Sequence, residues 1–224
     1  MKKNWWKIVA VVLLVYAFIA GFLKPVPYLS NLGESIRNLY FHVPMWFGMM
    51  VLYTVSLVNA VRYLRNKNLR FDIYAEAYAR SGIVFGILGL STGMIWATYT
   101  WGEPWSNDPK QNGAAIGLLI YFAYMVLRNS ITDLDKRARI SAVYNIFAYF
   151  ILIPAIWIMP RLEESLHPGG QGVQGNPGIN GSDLDPSMRI VFWPAVIGWT
   201  LLGVWITTLY IRLKNLKDKH LMHA

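Results

Sequence analysis

The chain contains no cysteine, so it forms no disulfide, performs no thiol chemistry and offers no thioether attachment for a prosthetic group. Charge is scarce as well: Asp, Glu, Lys and Arg make up 15% of the 224 residues, where a water-soluble domain carries roughly a quarter. The acidic share is the thinner, with 12 Asp and Glu against 21 Lys and Arg and a formal net charge of +9. No repeat of solenoid period is visible, and no polar stretch is long enough to hold a separate soluble domain. These absences exclude a disulfide scaffold, a thiol enzyme and an ordinary soluble globular domain.

What the chain has is apolar surface: 55% hydrophobic residues, with 10 Trp, 13 Tyr and 10 Phe. A helix needs about 20 mostly apolar residues to cross a hydrocarbon core of roughly 30 Å, because each unpaired backbone group in lipid costs several kcal/mol. Six stretches meet or approach that length, at residues 5–23, 41–61, 81–99, 113–127, 140–159 and 190–211. The fourth is the shortest, and extends through Lys110 and Gln111 if the lysine snorkels. The pattern predicts an all-α, polytopic membrane protein with six transmembrane helices.

Lys and Arg are retained on the cytoplasmic side of a membrane protein. With the N-terminus inside, the inner segments hold Lys2, Lys3 and Lys7, the Arg62–Arg80 group, the Arg128–Arg139 group and the basic tail from Arg212, sixteen of the 21 basic residues. Both termini are therefore expected in the cytoplasm, and topology accounts for the positive charge without nucleic acid. Met-Lys-Lys before an apolar run is similar to a secretory signal, but no small-x-small cleavage site follows, which predicts an uncleaved first span.

The inner connections, about residues 62–80 and 128–139, read as short polar loops. The outer ones differ. Residues 24–40 carry Pro25 and Pro27 before a turn-like cluster; residues 100–112 read TWGEPWSNDPKQN; residues 160–189 contain HPGGQGVQGNPGINGSDLDP, expected to be a flexible excursion. Of the four histidines, His220 and His223 lie in the inner basic tail, where solvation explains them. His42, in YFHVPMWFG, and His167, in ESLHPGG, fall near the outer interface at similar depth. Two neutral imidazoles facing each other can ligate a metal or both axial positions of a haem iron, although interfacial histidines also serve as plain polar anchors. Trp96, Trp101 and Trp105 cluster with Gly102, Asp108 and Lys110 on that rim. An interfacial belt anchors helix ends and needs no Gly/Pro-shaped hairpin bearing two tryptophans, whereas a flat planar ligand needs such a shelf.

WGEPWSND, flanked by His42 in HVP and by His167 in a later outer loop, resembles the tryptophan-rich haem-handling signature of the cytochrome c assembly superfamily. Six spans in 224 residues are similar to its small branch, the cytochrome c maturation protein C family, also called haem exporter protein C. The likeness covers most of the chain, from Trp5 to Tyr210. Asn107 stands where the usual W-G-x-x-W-x-W-D has its third Trp. The resemblance implies haem b held non-covalently and transiently, with His42 and His167 as axial ligands and Trp101, Gly102, Trp105 and Asp108 as the motif against which it rests. Arg37 and Lys110 are the cations expected to meet its propionates. It implies presentation of haem to a haem chaperone, ATP-driven transporter subunits and a small single-span subunit as partners, and a bacterial cytoplasmic (inner) membrane location with the active face periplasmic. No bond-making residue is expected in the chain itself.

The competing readings are a membrane-anchored diheme or quinone-linked electron-transfer subunit, a transporter permease, and a scaffold whose aromatic loop docks another protein. The first expects histidines at mid-span and the second ionisable or broken-helix features near the bilayer midplane. No histidine lies at mid-span, and the six stretches are almost free of charge between their ends.

Overall fold

The structure, a computed structural model, describes residues 4–28, 32–167 and 184–223. Six of its helices are long and apolar enough to cross a membrane, as the hydropathy predicts, and no strand occurs among the described residues. They are α1 (Trp5–Leu23), α2 (Leu39–Asn66), α3 (Leu69–Trp101), α4 (Pro109–Ser130), α5 (Leu134–Ile153) and α7 (Pro186–His223). A 3₁₀ segment, Gly33–Asn38, leads into α2; a π-helical turn, Pro154–Ile158, and the short α6 (Met159–Leu162) follow α5. Proline lacks the amide hydrogen and crowds the carbonyl four residues back, which accounts for the change of helix type at Pro154. The Gly/Pro-rich stretch 168–183 expected to be flexible, and Lys2 and Lys3, lie outside the described residues.

Two boundaries differ from the hydropathy reading. The fourth span runs 22 residues because Asp108 caps it, its carboxylate accepting from the Lys110 amide at 2.8 Å with Pro109 as first helical residue. Residues 62–80 are not a loop: α2 continues to Asn66, Lys67 turns the chain at φ 54°, and Asn68 caps α3. At 1.5 Å per residue, 28 and 33 residues span roughly 42 and 50 Å, well beyond the roughly 30 Å hydrocarbon core.

The seam between α2 and α3 is lined by glycine. Gly82, Gly86, Gly89 and Gly93 recur at a four-three-four spacing along α3 and receive Tyr53, Met49, Trp46 and His42 of the antiparallel α2. A Cβ on Gly89 would stand 2.9 Å from the Trp46 ring, and one on Gly93 only 2.6 Å from the His42 ring. Hydrocarbon supplies no hydrophobic drive between helices, so this close backbone approach is what makes α2 and α3 adhere. Beyond it, the Tyr53 ring stacks on Tyr121 with centroids 3.6 Å apart. Buried hydroxyls and amides tie further pairs: Asn145 donates to Ser56, Ser56 to the Ala75 carbonyl, and Thr207 to Ser81.

A charge cluster closes the end of the bundle away from His42. Arg128, 2% exposed, grips both Asp72 oxygens at 2.6 Å and reaches Glu76 at 3.1 Å. Glu76 also pairs with Arg80 and Lys214, so α3, α4 and α7 meet on one carboxylate. Removing one member of a buried cluster leaves its partners charged and unpaired, at a cost of about 3–5 kcal/mol. Arg128→Leu should therefore lower the thermal midpoint of the detergent-solubilised protein sharply. Adding Asp72→Asn and Glu76→Gln should recover part of the loss, as differential scanning fluorimetry would show.

Candidate functional site

At the opposite end, α2, α3, α4 and the π-helical turn diverge around a cavity of about 660 Å³. His42 and Trp46 line it from α2, Trp96 from α3, Lys110 and Gln111 from α4, Trp157 from the π-helical turn, and His167 from the segment after α6. Its wall is otherwise largely aliphatic and aromatic. The sequence places His42 and His167 at similar depth; the structure brings both to one cavity.

His42 sits in the first turn of α2, its ring seated over Gly93. Its Nδ1 lies 3.2 Å from the Thr92 Oγ1, and the Trp46 ring, one helical turn on, meets it edge-on at 6.2 Å. His167 is held from behind: its Nδ1 is 2.8 Å from Asp108 Oδ1. Asp108 is the junction of this half of the site. It accepts from the Lys110 amide, the Ser165 hydroxyl, the Leu166 amide and the His167 ring, which fills the lone-pair sites of a carboxylate. Burial works against its charged form, yet the hydrogen bonds from His167, Ser165 and the Lys110 amide hold the carboxyl well below the usual carboxylate range.

The tryptophan hairpin is arranged around His167 more than around the cavity. Trp101 meets the His167 ring edge-on at 4.7 Å and Trp96 lies 6.2 Å from it. Gly102, at φ 86°, turns the chain out of α3, and Asn107, at φ 54°, turns it back before Asp108. A left-handed backbone is tolerated by Asn far better than by a bulky ring, so the residue in the place of the usual third Trp suits the turn it makes. Trp105 is half-buried farther along the hairpin and does not line the cavity. Lys110 does. Arg37 is engaged elsewhere, donating to the carbonyls of Gly21 and Lys24 at the end of α1 and pairing with Glu34.

Sequence reading passes over several of the residues that complete this wall. Trp46 follows His42 by one helical turn, a spacing that shares a face, and Gly89 and Gly93 belong to a stripe visible in the sequence. Gln111 looks like a snorkelling residue but is buried, accepting from Ser106 and donating to the Pro104 carbonyl. Trp157 and Thr92 carry no such signal. Trp96 Nε1 is buried without a hydrogen-bond partner among the described residues, a donor in a cavity wall that a polar ligand could satisfy.

A family model described as Heme exporter protein C matches residues 2–223. Heme exporter protein C of Rhodobacter capsulatus is 28% identical over 165 residues, 73% of this chain and 68% of that protein. A cytochrome c biogenesis protein CcsA of Prochlorococcus marinus is 42% identical over 158 residues, 67% of this chain but 50% of that protein. A putative cytochrome c biosynthesis ccmC-like mitochondrial protein of Marchantia polymorpha is 28% identical over 93 residues, 42% of this chain and 40% of that protein, so the chain matches about half the length or less of these last two relatives. With the family model matched almost end to end, the chain belongs to the heme exporter protein C family.

Proposed function

We propose that this chain binds haem non-covalently between His42 and His167 on the outer face of the cytoplasmic membrane and presents it to a haem chaperone during cytochrome c maturation. Membership of a haem exporter family supports a haem-handling role; the observation that carries the finer reading is that two imidazoles from separate segments line one largely apolar cavity. The wall fits such a cargo. A porphyrin needs apolar faces, two nitrogen lone pairs and a cation for its carboxylates, and the cavity offers aromatic and aliphatic walls, His42, His167 and Lys110.

The chemistry asked of the chain is ligand exchange. Each imidazole contributes a lone pair, the cavity excludes water, and Lys110 meets propionate charge at the rim. His42 belongs to a packed helix, whereas His167 rides on a short segment held by hydrogen bonds to Asp108. Haem can therefore leave by movement of that segment, with the bundle intact. A chain without cysteine makes no thioether link, so the cargo is held non-covalently, and haem b is the form we propose. Release to a chaperone with its own ligand, and association with ATP-driven transporter subunits and a small single-span subunit, complete the proposed cycle.

Sidedness follows from charge. α2 begins beside the cavity, with His42 in its first turn, and ends among Arg62 and Arg65, in one of the basic connections expected to be retained in the cytoplasm. The cavity then opens on the periplasmic side of an inner membrane, with both termini inside.

In protein purified from haem-replete cells, a Soret band with low-spin features is expected, and His42→Ala and His167→Ala should each weaken or shift it. Spectra unchanged in both variants would remove these residues as ligands. Asp108→Asn, which leaves His167 unsupported, should lower haem affinity about 10–100-fold, the range for loss of a partner behind a metal ligand, in a haem titration of the apoprotein. Trp101→Ala should weaken binding, and Trp193→Ala, which changes a tryptophan of α7 that does not line the cavity, should not. Because the chain has no native cysteine, single cysteines replacing Glu103 and Arg65 report sidedness directly: a membrane-impermeant maleimide on spheroplasts should label the first and spare the second.

A further inference from the structure

The two imidazoles of the cavity are backed by different acceptors, and that difference fixes what each ring presents. Thr92 Oγ1 lies 2.8 Å from the Leu88 carbonyl and 3.1 Å from the Gly89 carbonyl, one turn back in α3. A hydroxyl has one proton, and the shorter contact takes it to a carbonyl that can only accept. The Thr92 oxygen is left as an acceptor, and the His42 Nδ1 at 3.2 Å is then the donor. His42 is thereby set as the tautomer with hydrogen on Nδ1 and the lone pair on Nε2. His167 reaches the same tautomer by another route, its Nδ1–H donated to the Asp108 carboxylate at 2.8 Å.

We propose that Thr92 is a positioning residue for His42, holding it in the Nδ1–H tautomer through its back-bonded hydroxyl, and that the hydroxyl behind His42 and the carboxylate behind His167 make the two haem ligands unequal. A hydrogen bond to an ionised acceptor is roughly twice as strong as one to a neutral acceptor, and a carboxylate partner raises the basicity of a ligating imidazole. His167 is the stronger donor to iron and His42 the weaker. The ring of His42 is fixed in place by Gly93 and the helix, so its weakness is electronic. The segment bearing His167 is held by hydrogen bonds and not by a helix, so the strength of its bond to iron is what keeps haem until a competing ligand arrives. The inference rests on the proposed binding of haem between these residues, but its first half concerns the apoprotein alone.

That separation shapes the test. Uniformly ¹⁵N-histidine-labelled apoprotein in detergent micelles reports each ring's tautomer through the shifts of its two nitrogens. His42 should be Nδ1–H in the native protein and in Thr92→Ser, while Thr92→Val, which keeps the branched shape but removes the acceptor, should move it towards the Nε2–H form and leave His167 unchanged. Once haem is loaded, Thr92→Val should shift the absorption and resonance Raman signature from six-coordinate low-spin towards five-coordinate high-spin, and Thr92→Ser should restore it. Thermal midpoints of the variants check that all three fold alike; should Thr92→Val fail this, Thr92→Ala read by the same nitrogen shifts replaces it. An unchanged His42 tautomer in Thr92→Val overturns the positioning role, whatever haem does. A native protein that takes up no haem, with the tautomer shift still seen, sinks the haem reading and leaves Thr92 as the residue that sets His42.

Discussion

Everything at the cavity depends on how closely α2 and α3 approach. Four glycines on one face of α3 remove the side chains that would hold the helices apart, and four residues of α2, joined at Gly86 by Leu118 of α4, fill the space. The last of those four is His42. The same stripe that makes two helices adhere where lipid gives no hydrophobic drive also decides the depth and orientation of an imidazole. Thr92 adjoins the glycine over which that ring sits, so packing and hydrogen bonding act on His42 from neighbouring positions of a single helix turn.

Asp108 performs the corresponding service for His167, but through capping. Its carboxylate ends the hairpin, starts α4 and receives the returning segment through Ser165, Leu166 and the His167 ring. A residue that reads as a candidate cofactor contact thus acts from behind the imidazole, with its oxygens occupied by protein donors. The consequence is a division of labour. α2 and α3 fix one ring by steric fit, and a hydrogen-bonded carboxylate fixes the other on a segment free of helical constraint.

Much of this was legible in the sequence, and the failures share a cause. Hydropathy finds the six apolar stretches because that signal is local, and the placement of His42 and His167 at the same end of the bundle follows from counting crossings. Residues 62–80 defeat the same method. Asp72, Glu76 and Arg80 lower the mean hydropathy of any window that includes them, yet they are helical, and Asp72 and Glu76 are buried, because Arg128 arrives from another helix to satisfy two of them. Burial of charge is a pairwise property and no window along one segment contains both partners. Arg37 shows the reverse limit of reading along the chain. Proximity to a motif made it a candidate for propionates, while the carbonyls ending α1 had the prior claim on its guanidinium. The glycine spacing on α3 and the turn between His42 and Trp46 were both readable signals, since each needs only the 3.6-residue period.

The two ends of the bundle therefore answer opposite requirements. At the basic end Arg128 and its carboxylates satisfy one another across three helices, and any movement there breaks buried ion pairs. At the cavity end His42, His167 and Trp96 line a largely apolar space, and the buried Trp96 Nε1 has no hydrogen-bond partner among the described residues. Apolar walls alone would collapse or fill with lipid, and polar groups alone would pair with each other. Holding both apart takes rigid support behind each ring, and the glycine seam and the Asp108 cap supply it from opposite sides. On the proposed function, a cavity built this way would bind by what it leaves unsatisfied, the condition for taking up a flat, largely apolar metal complex and later giving it back.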